Sequence, residues 1–467
     1  MSKLFLELAS RGHHITVVDT TSKHPPNYGP NVSVVMFSDN KPKSDELLNM
    51  IWQKYFMQWQ VPTLFTIGDA YFGMMARNYS DKITAVLNQH FDACLIDDIF
   101  ALDGMYIAEI LHRRKGTPYL LYGTTINFDS TPYLRGDARH VLHRPSNTGR
   151  LPQTDADVYN PKSFYHRVVN VLGLLEIPWT PFAVNLFSLT NLRRFGLPDF
   201  DFRTFYRDAS FLFTETFDRL SMPTTEVVDF KGVGPYCPPA HTLSPEWDTF
   251  LNDPKSNGTI IVALGSNAKW THAPEYLKTA FWTALRNFTN YRIVFTYDAD
   301  PPNDVPPHLK VSKWAPQRAL LAHPTTKLFV SHSGLKSVNE ALCAGVPLVL
   351  MPIFAEQKVN AEFMVAQGRA TLINKWTLTA ETLQNAIQSQ LGPAWPELKA
   401  KAVRYAKIYV DRIARPSAIS AFYAERVAKT GGRGTTWPKA ALKLSFVQVW
   451  GIDVIVGVIG FIVILSA

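Results

Sequence analysis

The sequence predicts an α/β protein built on parallel sheets and followed by a membrane-spanning helix. Three observations support this fold class. Apolar strands and amphipathic helices alternate regularly between residues 259 and 391, as in a doubly wound parallel sheet. Short, nearly continuous apolar strands alternate less regularly with helices over residues 1–230. An apolar run with a single charge closes the chain at 444–467.

The first half of the chain predicts four strands that alternate irregularly with helices, and a region of weak periodicity. The chain opens on an amphipathic helix that Gly12 ends. The strands follow as apolar runs at 15–20, 33–38, 93–97 and 118–123. Residues 124–206 are rich in Pro, Phe, Tyr and Asn, and we expect a variable site for a second molecule there.

The second half predicts a regular series of strands and helices. The strands lie at 259–266, 292–297, 309–314, 327–332, 346–353 and 370–374. The helices lie at 316–324, 335–345, 356–368 and 379–391, and further helical residues span 396–428. A Pro- and Gly-rich stretch at 230–247 marks a boundary. The predicted units are therefore 1–235, 236–395, a helical linker at 396–443 and the membrane helix at 444–467.

Composition and charge exclude several functions. Lys and Arg number 47 against 39 Asp and Glu, but the positive charges are scattered, so we do not expect nucleic-acid binding. The three cysteines are far apart and lack CxxC spacing, which argues against a disulfide framework and a thiolate zinc site, and we expect no metal. Four N-x-S/T triplets, at Asn31, Asn78, Asn257 and Asn287, would permit glycosylation in a lumen.

The two ends of the chain predict its location. Twenty-odd apolar residues, rising about 1.5 Å each, are long enough for a hydrocarbon core of roughly 30 Å. A buried terminal helix is the alternative, although such a helix usually keeps a polar face. The N-terminus has no signal-peptide pattern. A helix that feeds a strand is typical of a Rossmann-type domain without its first strand, so we expect that the chain starts late or that its start methionine is misassigned.

Three loops of the second half place polar residues at strand ends, where open α/β sheets bind ligands. His332, Ser333 and Gly334 precede a helix whose free N–H groups suit a diphosphate. Glu340, two turns on, can accept both hydroxyls of a ribose, and Ser266 can contact a phosphate. The alternative is that these are turn residues without a ligand.

Two further pairs suit a base and a sugar. Trp314 and Gln317 offer stacking and edge recognition of a base, unless Trp314 is ordinary core. Glu356 and Gln357 can bind sugar hydroxyls, unless the acidic residue only stabilises the dipole of its helix. The GxGxxG and GxxxxGK[ST] fingerprints are absent, which argues against NAD and ATP.

The run from Trp314 to Ala361 resembles the signature of UDP-glycosyltransferases, specifically the membrane-bound UDP-glucuronosyltransferase type of animals. The resemblance continues through RGHHITVV, FDACLIDDIF, VALGS and the apolar C-terminus. It implies two facing Rossmann-like domains, the GT-B architecture, with the acceptor in the N-terminal domain and the UDP-sugar in the C-terminal one. No cofactor is expected, because the UDP-sugar is a substrate.

The resemblance assigns roles to single residues. Trp314 stacks on uracil with Gln317 beside it, and Glu340 binds the ribose. The other implied UDP-sugar contacts are Ser266, His332, Ser333, Gly334, Lys336, Ser337, Glu356 and Gln357. Asp97 corresponds to the Asp that orients the family's base His, and Asp98 is the nearby alternative.

This chain departs from the family pattern at three points. The base His falls before the segment where this chain starts, and His13 and His14 lie at the other end of the first helix. HSGLK stands where the family often has HGGxN, so Ser333 and Lys336 differ. Glu356 replaces the usual Asp.

The resulting functional hypothesis is a luminal, membrane-anchored enzyme, expected in the endoplasmic reticulum. It would transfer glucuronate, or alternatively glucose, from a UDP-sugar to a hydroxyl of a small lipophilic acceptor with inversion at the anomeric carbon. The alternative is a UDP-sugar-binding membrane protein without turnover, because the base His has no counterpart. A homo-oligomer is compatible with either hypothesis.

Overall fold

The computed structural model describes residues 2–20, 27–37, 50–53, 61–98, 101–125, 130–135, 160, 162–173, 177–215, 227–234, 236–432, 444–449 and 451–466. The strands within these residues are β1 (Ile15–Asp19), β2 (Val32–Met36), β3 (Cys94–Asp97), β4 (Tyr119–Gly123), β5 (Phe211–Thr214), β6 (Phe230–Gly232), β7 (Thr259–Ala263), β8 (Arg292–Thr296), β9 (Leu309–Ser312), β10 (Thr326–Ser331), β11 (Leu348–Leu350) and β12 (Ala370–Leu372).

Helices of the first half, within the same residues, are α1 (Ser2–Ser10), α2 (Val61–Asn78), α3 (Ser80–Asn88), α4 (Leu102–Lys115), α5 (Ser130–Leu134), α6 (Phe164–Leu172), α7 (Trp179–Phe187), α8 (Thr190–Arg194) and α9 (Phe202–Asp208). Those of the second half are α10 (Pro245–Leu251), α11 (Glu275–Arg286), α12 (Gln317–Ala322), α13 (Leu335–Ala344), α14 (Gln357–Ala366), α15 (Ala380–Leu391), α16 (Trp395–Val410), α17 (Pro416–Thr430), α18 (Phe446–Val449) and α19 (Ile452–Ser466).

The strands of the described residues form parallel sheets in both halves of the chain. A two-stranded sheet pairs β1 with β2, and a four-stranded sheet has the order β3-β4-β5-β6. The second half contains a six-stranded sheet of order β12-β11-β10-β7-β8-β9. Every ladder between these strands is parallel, which confirms the predicted α/β class with parallel sheets.

The predicted strands of both halves are confirmed, but the first half contains more structure than predicted. Strands β5 and β6 were not predicted, and helices α5 to α9 occupy the stretch that showed only weak periodicity. All four residues of β5 are buried, so its run of Phe, Leu, Phe and Thr carries no alternation to detect.

The six-stranded sheet is buried on both faces, which explains its apolar strands. In β7 the side chains of Ile260 and Val262 join one hydrophobic cluster, whereas Ile261 and Ala263 join another. Alternate residues of a strand point to opposite faces, so two packed helical layers require a continuous apolar run. The strands β7, β10 and β11 are parallel neighbours, so their carboxyl ends lie at the same edge of the sheet.

Two connections tie distant parts of the chain together. Helix α17 returns to the first half, where Ala421 and Val427 pack in one cluster with Leu4 and Phe211. A disulfide joins Cys237, after β6, to Cys343 in α13, 106 residues apart in sequence. The wide spacing of the cysteines argues against a disulfide framework and does not reveal this single disulfide, which forms because the fold brings the ends of the long segment together.

The predicted membrane helix at 444–467 is divided in the structure. Gly451, with φ +60°, separates α18 from α19, and α19 has 15 residues. Among the residues that the structure describes, no helix combines the length and the apolar character that crossing a membrane requires.

Candidate functional site

A cavity of about 940 Å³ opens at the carboxyl ends of β7, β10 and β11. Residues of the first half, among them Ile51, Leu64 and Thr124, form part of its wall. Ten of the twelve predicted site residues line it: Ser266, Trp314, Gln317, His332, Gly334, Lys336, Ser337, Glu340, Glu356 and Gln357. The fold therefore brings together loops that the sequence places up to ninety residues apart.

The other two predicted residues are not part of the cavity wall. Ser333 is fully buried, and its contact with a UDP-sugar stays a prediction. Its backbone adopts φ +69°, a left-handed conformation that disfavours residues with a Cβ. Asp97 does not line the cavity itself but contacts a residue that does: it accepts a hydrogen bond of 3.2 Å from Oγ1 of Thr124.

His332 lies between two glycines at the end of β10. A Cβ on Gly265 would approach Nε2 of His332 to 2.5 Å, and a Cβ on Gly334 would approach it to 2.4 Å. Both positions must therefore remain glycine for the imidazole to occupy this place. Burial lowers the pKa of His332 to about 4, so the ring is neutral at neutral pH. A neutral ring can donate one N–H to a ligand oxygen without adding charge.

Trp314, Gln317 and Glu340 all line the cavity, and Gln317 is hydrogen-bonded to Glu340. The indole of Trp314 is 77 % exposed, so it is not ordinary core. Nε2 of Gln317 donates to Oε2 of Glu340 at 2.7 Å and to Oγ of Ser337 at 3.2 Å. Burial raises the pKa of Glu340, although this hydrogen bond acts in the opposite direction. The amide thus fixes the carboxylate and leaves Oε1 available to a ligand.

The loop from Ile353 to Gln357 follows β11 and holds two predicted sugar-binding residues. The backbone N–H groups of Ile353 and Phe354 donate to Oε1 of Gln357 at 2.8 and 3.1 Å, so this oxygen is engaged by its own loop. Ala355 adopts φ +54°. The loop is therefore closed on itself around the Gln357 side chain, and only the amide nitrogen of Gln357 is left to bind a ligand.

Glu356 reaches the N-terminus of α13. Its carboxylate accepts a hydrogen bond from the backbone N–H of Leu335, and burial raises its pKa. A carboxylate at this helix end interacts favourably with the helix dipole. The extra methylene of Glu relative to Asp lengthens this reach.

Lys336 connects the two halves across the cavity. Its amine forms an ion pair with the buried carboxylate of Glu215, the residue after β5, and Glu215 accepts a hydrogen bond of 3.0 Å from the hydroxyl of Tyr122. Burial lowers the pKa of Lys336 to about 8, whereas the charges of Asp97 and Glu340 act to raise it. Glu215 was not predicted as a site residue, because no motif marks it.

Asp97 and Asp98 follow one another at the end of β3 but occupy different environments. Burial, assisted by the charge of Asp97, raises the pKa of Asp98 to about 8. Asp98 is 2 % exposed, and its backbone carbonyl accepts a hydrogen bond of 2.8 Å from the hydroxyl of Tyr206. Asp98 is thus largely protonated at neutral pH and faces the core, whereas Asp97 is linked to the cavity through Thr124.

The chain matches one family model along its whole length. The model is described as UDP-glucoronosyl and UDP-glucosyl transferase, and it covers residues 1–467. UDP-glucuronosyltransferase 2B17 of Homo sapiens is 26 % identical over 480 residues, which cover 97 % of this chain and 86 % of that protein. The rat protein of the same name is 27 % identical over 491 residues, covering 99 % and 87 %.

Solved structures with the same fold include glycosyltransferases of low sequence identity. The calicheamicin glycosyltransferase CalG4 superposes with a TM-score of 0.56 at 18 % identity, covering 92 % of this chain and 94 % of that one. A UDP-glucose: anthocyanidin 3-O-glucosyltransferase in complex with UDP superposes with a TM-score of 0.55 at 14 % identity, covering 92 % and 95 %. These similarities show the GT-B fold.

Proposed function

We propose a specific reaction for this chain, which belongs to the UDP-glucuronosyl and UDP-glucosyl transferase family and is by that membership a hexosyltransferase. Its cavity binds a UDP-sugar, and the sugar is transferred to a hydroxyl of a small lipophilic acceptor. Asp97 serves this transfer. The observation that carries the proposal is the group formed by Trp314, Gln317 and Glu340 beside the N-terminus of α13.

The uridine binds at the mouth of the cavity in this proposal. The exposed indole of Trp314 offers a face for uracil, and stacking on an aromatic ring is effective for any base. Oε1 of Glu340 accepts from the ribose hydroxyls while Gln317 holds the other oxygen. The diphosphate is received by Ser266, neutral His332 and the N–H groups of α13 that follow Leu335, because the N–H of Leu335 itself donates to Glu356.

Glucuronate is the proposed donor sugar, with glucose as the alternative. Lys313 and Arg318 line the cavity, and an additional carboxylate on the sugar would be favoured beside them. Lys269 and Lys336 also line it, but they form ion pairs with Asp298 and Glu215. The human and rat relatives described above are UDP-glucuronosyltransferases. Glu356 and the amide nitrogen of Gln357 lie where sugar hydroxyls are expected.

Asp97 is the proposed catalytic carboxylate, because Asp98 faces the core and holds its proton at neutral pH. Within the family pattern, an ionised Asp orients an imidazole, and that imidazole takes the proton of the acceptor hydroxyl. The proposal assigns the orienting role to Asp97 and assigns no imidazole of this chain to the proton transfer. Loss of that proton strengthens the oxygen as a nucleophile toward the anomeric carbon, and UDP leaves with inversion.

A luminal position with a C-terminal membrane anchor is part of the proposal. The residues of α19 are apolar apart from Asp453 and Ser466 and are exposed to solvent in the monomer. The disulfide between Cys237 and Cys343 suits an oxidising compartment, and the sequon residues Asn257 and Asn287 are exposed. Recovery of the protein in the supernatant of an alkaline wash of microsomes would contradict the membrane anchor. Absence of glycan from the protein in microsomes would argue against a luminal position.

A transfer assay tests the proposed reaction. UDP-glucuronate and UDP-glucose are supplied separately with a panel of phenols and sterols, and the glycosides are measured by mass spectrometry. We expect transfer from UDP-glucuronate, and Glu340→Gln should raise its KM about 10- to 100-fold. Glu381→Gln is the matched control, because Glu381 is exposed on α15 and outside the cavity wall.

The outcomes of this assay separate the candidate functions. Binding of UDP-glucuronate without transfer to any acceptor would favour the second candidate, a UDP-sugar-binding protein without turnover. The absence of both binding and transfer would contradict the assignment of the cavity.

A further inference from the structure

A short segment of the first half packs inside the second half. We name residues 50–53 the docked segment. Trp52 is fully buried and Ile51 is 4 % exposed, and both belong to the hydrophobic cluster of the six-stranded sheet. The indole of Trp52 lies 5.9 Å from that of Trp270, and its Nε1 donates to the backbone carbonyl of Lys269 at 3.0 Å. The docked segment is therefore a structural contact between the two halves.

The buried amine of Lys375 contacts the docked segment. Lys375, which follows β12, is 1 % exposed. Its Nζ donates to the backbone carbonyl of Ile51 at 2.6 Å and to that of Ile353 at 2.7 Å. It also lies 4.4 Å from the ring centroid of Trp376. Lysine is rarely buried to this extent, because removing the ammonium from water is costly, so these contacts require a physical reason.

The two carbonyls belong to two walls of the cavity. Ile51 lines the cavity from the first half. Ile353 begins the loop that closes on Oε1 of Gln357 and carries Glu356, and Phe354 of the same loop also lines the cavity. One amine thus joins the docked segment to the loop 353–357, and the connection spans 324 residues of sequence. The residues proposed to bind uridine lie elsewhere: Trp314 lies between β9 and α12, and Glu340 lies on α13.

We propose that Lys375 is a positioning residue for the sugar of the donor: it holds the docked segment and the loop 353–357 in the arrangement that receives the sugar, while the uridine contacts are independent of it. Lys375 does not need to touch the donor, because it acts through Ile51 and the loop. The proposal rests on the function proposed above and names the part of the cavity that discriminates UDP-sugar from UDP.

The replacement Lys375→Met tests the proposal, because it keeps an unbranched side chain and removes every N–H donor. Calorimetry measures binding of UDP and of UDP-glucuronate, and the transfer assay gives KM and kcat. We expect the affinity for UDP to stay within about threefold of the unsubstituted protein. The affinity for UDP-glucuronate should fall about 10- to 100-fold, because the docked segment and the loop 353–357 lose the two hydrogen bonds that join them.

Two further variants make the test independent of folding defects. Lys115→Met is the matched control, because Nζ of Lys115 also donates to two backbone carbonyls, those of Leu87 at 2.8 Å and Gln89 at 2.6 Å, away from the cavity wall. It should change neither affinity. Lys375→Gln keeps an amide donor and replaces Lys375→Met if the latter fails to bind UDP at all.

The result that would overturn the proposal is an equal loss of affinity for UDP and UDP-glucuronate, since that would reveal a purely structural lysine. Unchanged affinity for both ligands would overturn it as well. A failure of the proposed function is distinguishable, because the unsubstituted protein itself would then bind neither UDP nor UDP-glucuronate.

Discussion

Replacing Trp314 by alanine should weaken the binding of UDP without weakening the fold. The indole is 77 % exposed, and the local turn is fixed by Oγ of Ser312, which donates to the backbone carbonyl of Trp314 at 2.6 Å. Loss of a base–aromatic stack costs about 1–3 kcal/mol, which corresponds to about 5- to 150-fold in Kd. The free energy of unfolding should change by no more than about 0.5 kcal/mol, because little apolar surface of this side chain is buried.

Isothermal titration calorimetry with UDP at constant ionic strength measures the effect. Trp314→Phe should retain part of the affinity, because a smaller aromatic face remains. Trp179→Ala is the control, since Trp179 is a partly exposed indole on α7 that does not line the cavity. Equal affinity of Trp314→Ala and the unsubstituted protein would refute the stacking assignment.

Three further predictions concern stability. Ser333→Gly should raise the free energy of unfolding by about 0.5–1 kcal/mol in urea titrations, because φ +69° suits glycine; a decrease would contradict this explanation. Burial raises the pKa of Asp98 from 3.8 to about 8, so the folded state holds the extra proton between these values and stability falls as pH rises through them. Asp98→Asn should flatten that dependence by up to about 1.4 kcal/mol per pH unit, and an unchanged slope would disprove it. A reductant should lower the stability of the unsubstituted protein by about 3–5 kcal/mol and leave Cys343→Ala unaffected, whereas equal sensitivity would exclude the disulfide with Cys237.

The features that the sequence predicts well are local. The strands of the second half are continuous apolar runs because both faces of their sheet are buried, and such runs are visible without knowledge of the fold. The loops after β10 and β11 carry polar residues at strand ends, so His332, Glu356 and their neighbours could be selected before their positions were known.

The features that the sequence does not reveal depend on distant contacts. Lys336 and Glu215 are 121 residues apart, and no period or motif relates them. The contact of Lys375 with the docked segment spans 324 residues and is of the same kind. Conformation is equally invisible in the sequence: Ser333 shares the loop of His332, but neither its left-handed backbone nor its complete burial follows from a motif.

Photolabelling with a UDP-glucuronate that carries an azide on uracil, followed by peptide mapping, shows whether a UDP-sugar binds in the cavity with its base on Trp314. The label should form on the peptide containing residues 313–318, excess UDP should prevent it, and Trp314→Ala should reduce it. Labelling confined to other peptides, with no protection by UDP, would refute this binding mode.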